Sequence, residues 1–258
     1  MIETVKIEAI KEIALRAGEE ILAVYGTEFS VDVKEDKSPL TEADRRANDA
    51  IVEALTRLYP DIPVISEETR TVGYEERKDW EYFWLVDPLD GTKEFVKRNG
   101  EFTVNIALIH RHTPILGVVY QPIGEVLYWA SKGEGAWKSI NSGDAEQIHG
   151  GEHYSAKSSI TVVASRSHLT EDVQAFVTNL EEEGKTVEFL SSGSSLKLCL
   201  VAEGSADVYP RLGPTMEWDT GAAHAVAIEA GRQVLNHESG EPLTYNKENL
   251  LNPFFVVE

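Results

Sequence analysis

The chain carries one cysteine, few basic residues and no long hydrophobic run, and each shortage narrows what it can be. A single thiol excludes an internal disulfide and fits a reducing compartment. Cys199, set between Leu198 and Leu200, reads as an inert buried thiol rather than a nucleophile. No apolar stretch reaches the roughly 18–20 residues that a membrane-spanning helix needs. The opening Met1-Ile2-Glu3-Thr4-Val5-Lys6 has neither the basic nor the apolar region of a signal peptide, so a cytoplasmic protein is expected. Repeats and low-complexity tracts are absent as well. The shortage of positive charge is the most restrictive: 24 Lys and Arg face 44 Asp and Glu, a formal net charge of −20. Such a surface repels nucleic-acid polymer and anionic lipid. It also repels small phosphorylated molecules unless cations invert the field locally. An acidic protein that handles phosphate is therefore expected to do so through divalent metal ions.

What is present suffices for a large core. The 258 residues are 42% hydrophobic and 26% charged, as in ordinary soluble proteins. Ile10, Ile13, Ala14, Ala17, Ile21 and Leu22 recur at helical spacing, and Ala47, Ile51, Ala54, Leu55 and Leu58 do so after Thr41. Strands are expected at Ile62 to Ile65, Phe83 to Val86 and Phe102 to Leu108. A hairpin is expected around Gln121-Pro122-Ile123-Gly124. After a polar stretch from Ser139 to Ser158, strand and helix signals alternate: Ile160 to Ala164, Glu171 to Glu183, Thr186 to Leu190, Leu196 to Ala202, Ala206 to Tyr209, and a last helix from Trp218 to Ala230. We expect an α+β half over 1–155 and a more regular α/β half over 156–258.

The most informative run is Trp84-Leu85-Val86-Asp87-Pro88-Leu89-Asp90-Gly91-Thr92. An apolar strand ends in two carboxylates three residues apart, on a turn stiffened by Pro88 and closed by Gly91. Carboxylate and carbonyl oxygens are the ligands hard cations take. Taken alone the run is equally a surface turn, where Asp and Gly are common. Two further acidic sites give it weight: Glu67 and Glu68 directly after the Ile62 to Ile65 segment, and Asp219 in Glu217-Trp218-Asp219-Thr220-Gly221. Each has an ordinary reading, as a solvated acid or a first-turn acid of a helix. Asp44, in Thr41-Glu42-Ala43-Asp44, fits a capping box and equally a proton acceptor for the Thr92 hydroxyl. The run Ser191-Ser192-Gly193-Ser194-Ser195-Leu196-Lys197 between a strand and a helix is a phosphate cradle or a plain Gly/Ser turn. Arg211 suits bidentate phosphate binding, and His168 is a surface residue or a substrate contact.

Together these residues resemble the lithium-sensitive, Mg²⁺-dependent inositol-monophosphatase superfamily. Thr92-Lys93-Glu94-Phe95, Arg98-Asn99-Gly100-Glu101-Phe102-Thr103-Val104-Asn105, Gly193 to Lys197 and Tyr209 to Thr215 are similar to its branch of bacterial 3′(2′),5′-bisphosphate nucleotidases of CysQ type. The likeness runs from about Thr41 to Pro253. It implies a layered αβαβα sandwich. It further implies two or three Mg²⁺ ions, one held by Glu67, Asp87 and the Leu89 carbonyl, a second by Asp87, Asp90 and Asp219, and a third, weaker one by Glu67 and water. Glu67, Thr92 and Asp44 would serve catalysis, with Thr92 and Asp44 activating the attacking water. Glu67, Leu89, Asp90, Gly91, Thr92, His168, Ser194, Ser195, Lys197, Arg211 and Asp219 would line the substrate. The implied activity is removal of the 3′-phosphate of adenosine 3′,5′-bisphosphate, and of the corresponding sulfated nucleotide, in recycling a by-product of sulfate activation. The alternatives are an inositol-phosphate or sugar-phosphate phosphatase with the same metal core and a non-catalytic nucleotide or metal sensor. The resemblance leaves room for loose association with the cytoplasmic membrane face.

Overall fold

The computed structural model describes residues 5–33, 39–69, 72–164 and 170–258. Helix α1 (Ile7–Tyr25) precedes two two-residue strands, β1 (Asp32–Val33) and β2 (Pro39–Leu40), and helix α2 (Glu42–Leu58). Next come β3 (Val64–Ser66), α3 (Tyr74–Arg77), β4 (Tyr82–Asp90), α4 (Thr92–Val96) and the meander β5 (Thr103–His110), β6 (Thr113–Gln121), β7 (Val126–Ser131), β8 (Ala136–Ile140) and β9 (Glu146–Ile148). The remainder is β10 (Ser159–Ala164), α5 (Glu171–Glu182), β11 (Thr186–Ser191), α6 (Leu196–Ala202), β12 (Tyr209–Arg211), α7 (Glu217–Glu229), β13 (Val234–Asn236) and β14 (Phe255–Val257).

Strands β3 to β9 form one seven-stranded sheet in sequence order, parallel only between β3 and β4. Its central strands are buried on both faces, so they read as continuous apolar runs. Alternate residues serve different layers: Trp84, Val86, Val104, Ile106 and Leu108 pack under α1 and α2, while Phe83, Leu85, Ala107 and Ile109 pack under α6 and α7. On the far side of α6 and α7 stand the parallel pair β10–β11 and the antiparallel order β12-β14-β13, joined by a bridge from Val162 to Val208. Helix α5 backs this second sheet through Val177 and Leu180. The layers are thus helix, sheet, helix, sheet, helix, which is the expected αβαβα sandwich.

Helix α7 is the central pillar. Its residues from Thr220 to Ala227 are buried in succession, as befits a helix enclosed on all sides. The small residues of Gly221-Ala222-Ala223 let it approach the sheet closely. A Cβ placed on Gly117 of β6 would lie 2.1 Å from the Ala222 carbonyl oxygen, so only glycine fits beneath the helix there.

Several elements differ from the sequence reading. The expected polar stretch from Ser139 holds the end of β8 and all of β9, whose half-exposed residues lack an apolar alternation. The strand expected over Ala206 to Tyr209 is displaced to β12, and β13 and β14, three residues each, were not anticipated. Strand β4 does not stop at Asp87 but continues through Asp90.

Candidate active site

That continuation builds the site. Asp87 pairs with Asn105 and Asp90 with Thr103, so three steps along β4 match two along β5. The ladder absorbs one extra residue, a β-bulge, where Pro88 has no N–H to donate. In a regular strand, residues three apart point to opposite faces. The bulge turns Asp87 and Asp90 to the same face, the one that Leu85 presents to α7. Neighbouring β3 runs parallel and ends at the same edge, where the Glu67 N–H still donates to the Val86 carbonyl (3.1 Å). Asp219 arrives from above, in the first turn of α7, with its carboxylate accepting the Met216 N–H (2.9 Å). Carboxylate oxygens of Glu67, Asp87 and Asp219, one from each, lie within 4.8 Å of one another.

Such a triplet repels itself. Burial, then the charges of Glu67, Asp90, Asp219 and Asp44, hold the Asp87 carboxyl well above the usual carboxylate range. Burial and Asp90 do the same to Asp219, opposed by the Met216 N–H and Arg211. A bound cation reverses this field. The donor set suits one: acceptor oxygens only, with the Asp87 side chain 1% exposed. Asp87 Oδ1 already accepts the Leu89 N–H (3.1 Å), which fixes the carboxylate. Oxygen ligands without nitrogen or sulfur favour Mg²⁺, Mn²⁺ or Ca²⁺.

Asp90 stands outside that triplet. Its Oδ2 accepts from Ser194 Oγ (2.6 Å), the Ser195 N–H (2.6 Å) and Ser195 Oγ (2.7 Å), with Asn105 Nδ2 at 3.5 Å. Ser194 and Ser195, in the run read as a phosphate cradle or a plain Gly/Ser turn, thus set their hydroxyls against Asp90, with Ser195 Oγ also 2.5 Å from the Asp219 carbonyl, and link the start of α6 to β4 and α7. Ser194 adopts φ 53°, a left-handed conformation. Thr103 and Asn105 complete the network: Thr103 Oγ1 lies 2.6 Å from Ser194 Oγ, and Asn105 Nδ2 donates to Ser195 Oγ (2.9 Å). Neither residue was singled out from the sequence. Their sequence signals were their place in the Arg98-to-Asn105 stretch that resembles the family and the isolated polar Asn in the apolar run Val104-Asn105-Ile106.

Asp44 closes a helix cap and also meets the Thr92 hydroxyl. Its Oδ2 accepts the Thr41 N–H and hydroxyl (2.7 Å each), closing the capping box of α2. Its Oδ1 accepts from Thr92 Oγ1 at 3.2 Å, and the same hydroxyl lies 3.3 Å from the Leu89 carbonyl. Thr92 opens α4 behind Gly91, whose φ of 91° needs glycine.

The carboxylates floor a cleft of about 800 Å³ whose walls include Lys93, Lys97, Lys197, Arg211 and Trp218. Lys197 is 5% exposed and donates to the Ser194 carbonyl (2.6 Å). Its burial, against the pull of Asp90, lowers its pKa to about 8. Arg211 donates to the Pro214 carbonyl (2.8 Å), while its Nε is buried without a hydrogen-bond partner. His168 lies outside the described residues.

Comparison with known proteins agrees with this architecture. The model of the Inositol monophosphatase family matches residues 2–253. The 3′(2′),5′-bisphosphate nucleotidase CysQ of Escherichia coli strain K12 is 48% identical over 254 residues, covering 97% of this chain and 98% of that protein. The Haemophilus influenzae protein of the same name is 38% identical, covering 95% and 89%. The crystal structure of CysQ from Bacteroides thetaiotaomicron, a bacterial member of the inositol monophosphatase family, superposes with a TM-score of 0.86 at 47% identity, over 98% of this chain and 96% of that one. With the bulged acidic strand, the capping Asp44 and the five layers in place along nearly its whole length, the chain belongs to the metal-dependent inositol monophosphatase family.

Proposed function

We propose that this protein is a 3′(2′),5′-bisphosphate nucleotidase, a Mg²⁺-dependent phosphomonoesterase that removes the 3′-phosphate of adenosine 3′,5′-bisphosphate to give AMP and phosphate. The observation that carries the reading is the convergence of Glu67, Asp87 and Asp219 within 4.8 Å, beside a Thr92–Asp44 pair. Relatives bearing this enzyme name are 48% identical over nearly the full chain. The sulfated nucleotide is the second substrate we expect, in sulfur-assimilation recycling.

Glu67, Asp87, the Leu89 carbonyl, Asp90 and Asp219 would hold two or three Mg²⁺ ions. When bound, those ions supply positive charge that acidifies water and offsets charge on the phosphate. Thr92 Oγ1 orients the attacking water and takes its proton while passing its own to Asp44 Oδ1, 3.2 Å away. The two Thr41 donors on Asp44 Oδ2 leave Oδ1 facing Thr92. Gly91 and Thr92 backbone N–H groups steady the scissile phosphate at the start of α4. Lys197 and Arg211, with the unpartnered Nε of Arg211, take the remaining phosphate. Asp90, Ser194 and Ser195 reach substrate only from the positions their mutual bonds allow. We place the protein in the cytoplasm as two halves, 1–155 and 156–258. No helix among the described residues is long and apolar enough to cross a membrane.

The test compares phosphate release from adenosine 3′,5′-bisphosphate and inositol 1-phosphate, with Mg²⁺, without it, and with Li⁺ added. Mg²⁺-dependent, Li⁺-inhibited preference for the nucleotide supports the reading. Preference for inositol phosphate would keep the metal centre and overturn the substrate. No release from either would leave a sensor.

A further inference from the structure

A second buried polar cluster grips the side of α7 that faces away from the cleft. Glu217 is 0% exposed and precedes Asp219 by two residues. At 100° per residue their side chains leave the helix about 200° apart, so with Asp219 at the cleft Glu217 points to the other side. There its Oε2 accepts the Asn246 N–H (2.7 Å), and its Oε1 accepts the Lys247 N–H (3.0 Å) and Lys247 Nζ (2.6 Å). Asn246 and Lys247 are held in turn by Arg77, which is 2% exposed. Arg77 Nη1 donates to Asn246 Oδ1 (2.7 Å), and Nη2 to the carbonyls of Lys247 (2.8 Å) and Glu248 (3.0 Å). Asn246 Nδ2 returns a bond to the Arg77 carbonyl (2.8 Å). Arg77 closes α3, on the segment that leads away from Glu67, and its Nε also donates to the Val72 carbonyl (3.2 Å). Asn252 adds bonds from Nδ2 to the Met216 carbonyl (2.8 Å) and Thr220 Oγ1 (3.1 Å).

The cluster therefore ties the first turn of α7, which delivers Asp219, to the 246–248 segment and to α3. The first turn of a helix is its least restrained part, because its N–H groups lack partners within the helix. Here that turn carries a carboxylate into the field of two others, and their repulsion pushes it outward. A buried ion pair is a poor way to gain stability, since desolvation cancels much of its attraction. What it supplies is fixed geometry.

We propose that Glu217, with Lys247 and Arg77, is a positioning cluster that holds Asp219 at its short distance from Glu67 and Asp87 before a cation arrives. The inference rests on the metal-centre reading above. Its test is direct Mn²⁺ binding by calorimetry to the full-length wild type, Glu217→Gln and Arg77→Lys, with thermal unfolding in EDTA as a control for folding. Glu217→Gln should weaken Mn²⁺ binding about tenfold, the lower end of losses seen when groups supporting a ligand are removed. The Mg²⁺ concentration for half-maximal phosphate release should rise by the same factor, while kcat at saturating Mg²⁺ and KM for the nucleotide change less than about twofold. Arg77→Lys, which keeps the charge but loses the fork, should shift both in the same direction. It carries the comparison if Glu217→Gln does not fold. Variants that melt earlier yet bind Mn²⁺ as the wild type does would overturn the proposal. A wild type that binds no Mn²⁺ would instead overturn the metal centre, and this inference with it.

Discussion

Replacing Asp87 with Asn should stabilise the metal-free protein while depriving it of its cation. Asn keeps the shape and the Oδ1 that accepts the Leu89 N–H, so packing and the local turn survive. It removes one charge from a triplet whose oxygens lie within 4.8 Å, where each ionised pair costs about 3.5 kcal/mol or more at an effective dielectric of about 20. Proton uptake by Asp87, held well above the usual carboxylate range by burial and its neighbours, caps what is realised, and we expect a gain of about 1–3 kcal/mol. At roughly 2–4 °C per kcal/mol for a chain of this size, the midpoint in EDTA should rise by about 2–12 °C. Differential scanning calorimetry at neutral pH, in EDTA and in Mg²⁺, reads both halves. The wild type should gain stability with Mg²⁺ by mass action, and the variant should not. An Asp87→Asn protein that melts below the wild type in EDTA yet is still stabilised by Mg²⁺ would refute the reasoning.

Three further expectations follow. Thr92→Ala should lower kcat by roughly 10²–10⁴-fold, as for loss of a general-base step, with little change in the Mg²⁺ dependence; a variant altered only in metal affinity would remove Thr92 and Asp44 from water activation. Gly117→Ala sets a Cβ 2.1 Å from the Ala222 carbonyl and should cost about 1–3 kcal/mol or more by overpacking, measured by chemical denaturation; a neutral effect would mean that α7 is not tightly seated. His224 is buried against Tyr245 Oη (2.8 Å) and its pKa is lowered to about 3 by burial alone. Because the unfolded chain binds the proton more readily, its contribution is intact above about pH 6.5 and is lost as pH falls toward 3, roughly 2 kcal/mol of it by pH 5. The stability gap between wild type and His224→Gln should narrow by that amount from pH 7 to 5, and a constant gap would contradict the assignment.

The acidic run Asp87-Pro88-Leu89-Asp90-Gly91-Thr92 was legible because its chemistry is local, and so were α1, α2 and the apolar strands, whose periodicity reflects burial. What escaped depends on pairing across the chain. The bulge that brings Asp87 and Asp90 to one face exists only in register with β5. The meeting of Asp219 with Asp87 follows from seating α7 on Gly117. The Ser194-Ser195 run read as a phosphate cradle or a Gly/Ser turn, and only tertiary contact reveals that its hydroxyls meet Asp90 and, from Ser195, the Asp219 carbonyl. Glu217 and Arg77 gave no signal, since charged residues are normally solvated. The half-exposed β8 and β9 and the three-residue β13 and β14 are too short, or too polar on one face, to show a period.

The central claim is that the carboxylate floor of the cleft is a metal centre for phosphate-ester hydrolysis. Its most direct test is the initial rate of phosphate release from adenosine 3′,5′-bisphosphate as Mg²⁺ is titrated into EDTA-treated protein, with the nucleotide product identified. The account predicts no turnover without the metal, saturable recovery with it, and 5′-AMP as the sole nucleotide product. Undiminished turnover in EDTA, or 3′-AMP as the product, would contradict it.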